Sequence, residues 1–249
     1  MEMTPTVYVV DEDPLARRNV RQSATMLNLH CEEYASGPEF IEGLDPSRPG
    51  CVVLESRIPG ISGLEIQQHL ATRAPSLPVV FVTRHATVST AVRAMRAGAV
   101  NVLEKPAREI ELWETLQEAL HLNQQRRQAA QKRRQAGERI DRLTEKEREV
   151  MKAVSAGASN AEMASKFGVS QRTIELRRAS MMKKLRVRSL AELVRLVTAA
   201  ESELLEESLA REPLKTLALA VNWPHWSPEL YPPTAEGSFA EAIDGRHNG

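Results

Sequence analysis

The chain has 249 residues, 42% of them hydrophobic and 27% charged, with 33 Lys and Arg balanced by 33 Asp and Glu. At roughly 150 residues per domain this is room for one or two folded domains, and the composition excludes a fibrous or wholly disordered chain. No apolar run approaches the ~18 residues of a membrane span, and the opening MEMTPTVYVVDED lacks the basic-then-apolar layout of a secretory signal, so a cytoplasmic protein without membrane contact is expected.

The neutral total hides a partition. Residues 1–120 carry a net −5, 121–137 a net +5, 138–204 a net +4 and 205–249 a net −4, which predicts separate modules with separate partners. Cys31 and Cys51 have neither metal-type nor redox-type spacing and read as buried free thiols.

In the first part, TVYVV (6–10), CVVLE (51–55), PVVFV (78–82) and AVNVL (99–103) are short, apolar, β-branched runs, as expected of strands buried on both faces of a parallel sheet. HCEEYA (30–35) is a candidate edge strand and GPEFIEGL (37–44) a short helix. Asp13-Pro14 has the layout of a helix start, and three further segments with helical spacing follow the third, fourth and fifth strands. Five strands alternating with five helices predict an open, doubly wound α/β sheet. In such a sheet, ligands collect at the carboxyl ends of the strands. The residues there are Asp11, Glu12 and Asp13, then Glu55, Thr83 and Lys105. Asp13 reads as the helix cap; the other acids sit where strands disfavour them.

Residues 121–143 lack proline and hold one glycine, so they predict either a polar helix continuing the preceding one or a flexible basic linker, with a break at Gly137. Beyond 143 the pattern is helical. Thr144 with Glu147, Ser159 with Glu162 and Ser189 with Glu192 fit the S/T-x-x-E capping box, and Ser170 is a further N-cap. Helices are expected at about 145–156, 160–167, 171–185 and 190–203, the second and third joined by a glycine-containing turn as in a helix-turn-helix. The stretch after 204, with prolines at 213, 224, 228, 232 and 233 among Trp223, Trp226 and Tyr231, is expected to be an acidic, proline-rich tail that is mostly extended or disordered.

VYVVDEDPLARR, CVVLESRIPGISGLE, VVFVTRHATVSTAVRAMRAGAV and NVLEKP resemble the CheY-like receiver domain of two-component response regulators, and residues 143–197 resemble the LuxR-type helix-turn-helix domain of the FixJ branch, a class that includes NarL-type regulators. The resemblance implies a receiver-like domain over 1–121, a basic helical linker over 122–138, a DNA-binding domain over 139–204 and a tail over 205–249. It further implies a metal site for Mg2+ on Asp11, Glu12 and the Arg57 backbone carbonyl, phosphoryl contacts at Thr83 and Lys105, a cis Lys105–Pro106 bond, and a histidine kinase or other protein partner at the receiver.

The sequence departs from the family at the chemical centre. Glu55 stands where the family carries its phosphoacceptor aspartate, and its extra methylene moves the carboxylate by about 1.5 Å. Val102 replaces an aromatic residue, and Arg84 a small one. A phosphorylation-independent pseudo-receiver is therefore expected, with a conventional phosphorelay regulator as the alternative.

On the helix expected at 171–185, the resemblance matches Glu175, Leu176 and Ala179 to base-reading positions. Arg172, Thr173, Arg177, Arg178, Lys183 and Lys184 are the remaining candidates for contact with double-stranded DNA, the basic ones with its phosphates. The apolar stripe Leu190, Leu193, Val194 and Val197 is divided between the domain's own core and a homodimer contact. A second alternative is a dimerising antagonist that does not itself read DNA. An enzyme is not expected: the acids lack a nucleophile–base pair and any substrate-sized insertion.

Overall fold

The computed structural model describes residues 4–201; the acidic tail and the end of the last expected helix lie outside the described residues. Five parallel strands, β1 (Thr6–Val10), β2 (His30–Tyr34), β3 (Gly50–Leu54), β4 (Val79–Thr83) and β5 (Asn101–Glu104), are ordered β2-β1-β3-β4-β5. As their unbroken apolar runs predict, β1, β3 and β4 are buried along their whole length.

Successive residues of each strand face opposite layers. Tyr8, Val10, Val52, Leu54 and Phe81 pack against α2 (Gly37–Gly43), α3 (Gly63–Arg73) and α4 (Val88–Arg96) through Phe40, Ile66, Leu70 and Ala94. Val7, Val9, Val53, Val80 and Val82 pack against α1 (Pro14–Met26) and α5 (Glu109–Ile140) through Val20, Ala24, Leu112 and Leu116. Strand order reverses between β1 and β3, which puts a crevice at their carboxyl ends, beside Asp11 and Glu55.

Helix α5 is 32 residues long and runs straight through Gly137, so the break expected there does not occur. A helical glycine costs only about 1 kcal/mol relative to alanine, and Ala136 next to it is buried in the core of the following domain. The chain leaves the helix at Asp141 instead, where Thr144 caps the next one. The basic stretch is thus the helical one of the two alternatives. Asn123, which the sequence places in the linker, is 2% exposed and belongs to the first domain. Its Oδ1 accepts from Gly50 N at 3.0 Å and its Nδ2 donates to Ser76 O at 2.6 Å. Gly50 itself lies close against the start of β1: it has φ +154°, and a Cβ there would lie 1.9 Å from the Thr6 carbonyl oxygen.

The remaining helices are α6 (Glu145–Ser155), α7 (Asn160–Phe167), α8 (Gln171–Leu185) and α9 (Leu190–Glu201). The capping boxes at Thr144/Glu147 and Ser159/Glu162 are both reciprocal. The third is displaced by one residue: Glu192 N donates to Ser189 Oγ, but the Glu192 carboxylate accepts from Arg188 N at 2.7 Å. Gly168, left-handed at φ +63°, ends α7, and three residues later α8 begins. Val150, Met163, Ile174, Met181, Leu185 and Leu193 form the core, to which α5 contributes Ala136 and Ile140. Among the described residues no helix is long and apolar enough to cross a membrane.

Candidate functional site

The strand ends bring Asp11, Glu55, Thr83 and Lys105 together. Glu55 is 5% exposed, and both of its carboxylate oxygens are taken. Its Oε1 accepts from Ser56 N at 2.6 Å, Ser56 Oγ at 3.0 Å and the Thr83 hydroxyl. Its Oε2 accepts from Lys105 Nζ at 2.9 Å and Arg84 N at 3.3 Å. Burial alone would raise the pKa of this carboxyl; the Thr83 hydroxyl, the Lys105 ammonium and the Arg84 amide outweigh it and hold the group at about 2. Gly63 lets the start of α3 close over the site, since a Cβ there would stand 2.3 Å from the Glu55 carbonyl oxygen.

Asp11 shares Lys105, whose ammonium donates to Asp11 Oδ2 as well as to Glu55, while Asp11 Oδ1 accepts from Asp13 N at 3.0 Å. Asp13 caps α1 through Leu15 N and pairs with the Arg84 guanidinium. Glu12 is exposed and takes no part in the Lys105 cluster. The Lys105–Pro106 bond is cis.

The Mg2+ site implied for Asp11, Glu12 and the Arg57 carbonyl does not fit this donor set. The Lys105 ammonium already places its positive charge between Asp11 and Glu55, donating to both, and each Glu55 carboxylate oxygen has at least two protein donors. Among the described residues, no three acidic, histidine or cysteine side chains are grouped to hold a metal ion.

In the second domain, Arg172, Glu175, Leu176, Ala179 and Lys183 are exposed on one side of α8. Ser170 caps α8, its Oγ accepting from Thr173 N at 3.1 Å, and Arg178 donates to Asn160 Oδ1 at 2.6 Å, which ties α8 to α7. Lys184 is ion-paired within the domain: its ammonium is 2.6 Å from Glu147 Oε2. Of the stripe expected to serve a dimer, Leu193 and Val197 are buried in the domain core and offer no surface. Leu190 at 51% and Val194 at 40% exposure are the two that do.

Residues 7–117 match the response regulator receiver domain, and residues 141–197 match the luxR family of bacterial regulatory proteins. The chain is 34% identical over 190 residues to nodulation protein W of Bradyrhizobium diazoefficiens, covering 76% of this chain and 84% of that protein. It is 33% identical over 194 residues to the transcriptional regulatory protein FixJ of Azorhizobium caulinodans, covering 78% and 92%. The solved structure of the response regulator StyR matches 78% of this chain and 98% of its own at 37% identity, with a TM-score of 0.68. The chain belongs to the response regulators that join a receiver to a LuxR-type DNA-binding domain. No enzymatic family is among these matches.

In this response regulator the pocket around Glu55 is closed by a hydroxyl that sequence reasoning passed over. Ser56 is buried, and its Oγ lies 2.7 Å from Thr83 Oγ1 as well as 3.0 Å from Glu55. Arg17 was also missed; its Nη1 donates to the carbonyls of Asp11 and Glu12 at 2.7 and 3.1 Å, adding positive charge behind the acidic corner. A serine directly after the strand-end glutamate was the available signal for the first. The sixteen-residue separation from its ion-pair partner Glu33 hid the second.

Proposed function

We propose that this DNA-binding response regulator controls transcription as a homodimer and without phosphorylation, with Glu55 standing in for a phosphorylated acceptor. The observation that carries the reading is the Glu55 carboxylate accepting from Thr83 and Lys105, the hydroxyl and ammonium that the family resemblance assigns to the phosphoryl group. A phosphoryl group acts through negative charge and strong acceptor oxygens. Glu55 supplies one charge and two saturated acceptors at the same partners. As a nucleophile it is poor: both oxygens are engaged, and a displacement of about 1.5 Å from the aspartate position spoils in-line attack, where such an error can cost ~100-fold.

Output passes to DNA through α8. Glu175, Leu176 and Ala179 read base edges; a glutamate accepts from cytosine N4, and leucine or alanine touches a thymine methyl. Arg172, Thr173, Arg177, Arg178 and Lys183 contact the backbone. Leu190 and Val194 supply the dimer contact, and the work is done where bacterial DNA is, in the cytoplasm.

The test is to incubate the full-length chain with acetyl phosphate and Mg2+, then measure intact mass and duplex binding. The expected result is an unchanged mass and unchanged binding. A phosphoryl group mapped to Glu55 of the wild-type chain overturns the reading in favour of a conventional phosphorelay regulator. Failure to retain any duplex favours the antagonist.

A further inference from the structure

Glu147 closes the capping box of α6, accepting from Thr144 N at 2.8 Å and Thr144 Oγ1 at 3.0 Å on its Oε2. It has a second set of partners on another helix. Ser180 Oγ donates to its Oε1, and Lys184 Nζ to its Oε2, each at 2.6 Å. Ser180 and Lys184 are four residues apart on α8 and so lie one turn apart on one stripe. At 100° per residue that stripe flanks the exposed face of Glu175, Leu176 and Ala179. A single carboxylate, buried and anchored to the backbone at the start of α6, therefore holds α8 at two points along its length. Rotating α8 about its axis breaks a hydrogen bond to an ionised group, the stronger kind. Reading a base edge depends on that rotation, because hydrogen bonds to bases tolerate little misplacement.

We infer that Glu147 and Lys184 are positioning residues for DNA recognition: Glu147 sets the azimuth of α8 through Ser180 and Lys184, and Lys184 acts on Glu147 rather than on a DNA phosphate. This rests on α8 being the groove-reading helix. The adjacent lysines then differ in kind. Lys183 is exposed and reaches the backbone; Lys184 faces α6.

The experiment uses the full-length chain, a duplex that the wild type recovers from a random pool, and a scrambled duplex of the same composition, each titrated across a salt series. Lys184→Met is expected to lower the ratio of specific to scrambled affinity roughly ten-fold, the size of one misread base pair, with the salt slope left as in the wild type. Lys183→Met is expected to flatten that slope by about 0.9, the loss of one phosphate contact. Lys184→Arg, which keeps the charge and the donor, should restore the ratio. Ser180→Ala, which changes no charge, should lower it by a smaller factor with no change of slope, and it decides the matter if Lys184→Met fails to unfold cooperatively. A slope flattened by about 0.9 in Lys184→Met makes Lys184 a phosphate contact and overturns the inference. So does an unchanged ratio in both Lys184→Met and Ser180→Ala, which leaves the cluster merely structural. A wild type that recovers no preferred duplex removes the groove-reading role of α8 first, and the positioning role with it.

Discussion

Glu55, at the carboxyl end of β3, and Glu147, in the first turn of α6, are each 5% exposed, and each accepts from a lysine ammonium and a serine hydroxyl. In both, burial would raise the pKa and the surrounding donors bring it down to about 2. The arrangements differ in how their partners are shared. Lys105 bridges Glu55 and Asp11, and Ser56 Oγ and Thr83 Oγ1 lie 2.7 Å apart, close enough to bond to one another once either gives up Glu55, so the receiver cluster has internal substitutes for its links to Glu55. Lys184 has no second carboxylate among the described residues, and the Oε1 of Glu147 has Ser180 as its one described donor. One cluster is a closed network around a charge; the other is a single anchor between two helices. A network keeps its geometry when one member changes, whereas an anchor transmits any change directly to the helix it holds.

The largest expected effect follows from this contrast. Glu147→Ala removes half of a capping box, worth about 1 kcal/mol, and charge-assisted bonds to Ser180 and Lys184 worth about 2 more, so a loss of about 3 kcal/mol is expected in the second domain. Glu55→Ala leaves Lys105 paired with Asp11 and Thr83 bonded to Ser56, and about 1 kcal/mol is expected in the first. Denaturant titration of the full chain, with each domain's transition followed separately, ranks the two. Equal losses would show that the receiver cluster has no redundancy.

The sequence made the receiver side of this comparison legible and concealed the other. Asp11, Glu55, Thr83 and Lys105 each end or follow a strand, and a parallel sheet aligns such ends whatever the intervening loops do. The alternation of apolar runs with helical spacing was enough to place them. Glu147 was equally visible, but only as a cap, because its ties to Ser180 and Lys184 span 33 and 37 residues and no periodicity joins them. The same limit applies to Leu190, Leu193, Val194 and Val197: helical spacing shows a stripe but not where the neighbouring helix stops covering it. Gly137 misled in the opposite direction. Local propensity marks a break there, while the packing of Ala136 and Ile140 into the second core keeps α5 continuous.

Acid should act on both carboxylates, and the sign is the same for each. A carboxyl held at about 2 when folded and near its ordinary 4.5 when unfolded stabilises the fold fully above 4.5. The unfolded chain binds the proton first as pH falls, so the stabilisation drains away between 4.5 and about 2. Glu55→Gln and Glu147→Gln should each flatten the loss of stability over this window, read as the midpoint of denaturant unfolding at a series of pH values. The flattening belongs to the first domain's transition for Glu55→Gln and to the second's for Glu147→Gln. A variant whose acid profile overlays the wild type would mean that its carboxylate is not held by the donors described.

The smallest effect gives the sharpest contrast, because it removes one hydroxyl and no charge from each site. Ser56→Ala leaves the Oε1 of Glu55 with the Ser56 amide at 2.6 Å and the Thr83 hydroxyl, so the carboxylate stays satisfied and a change below about 0.5 kcal/mol is expected. Ser180→Ala strips the Oε1 of Glu147 of its one described donor. Ser180 is exposed, so water reaches part of the gap, and about 1 kcal/mol is expected rather than the full cost of an orphaned buried acceptor. A difference of this size moves a denaturation midpoint measurably while leaving both folds intact. If Ser56→Ala proves the costlier of the two, Thr83 is held toward Glu55 by Ser56 rather than by the carboxylate itself, and the proposed stand-in for a phosphoryl group becomes a property of two residues instead of one.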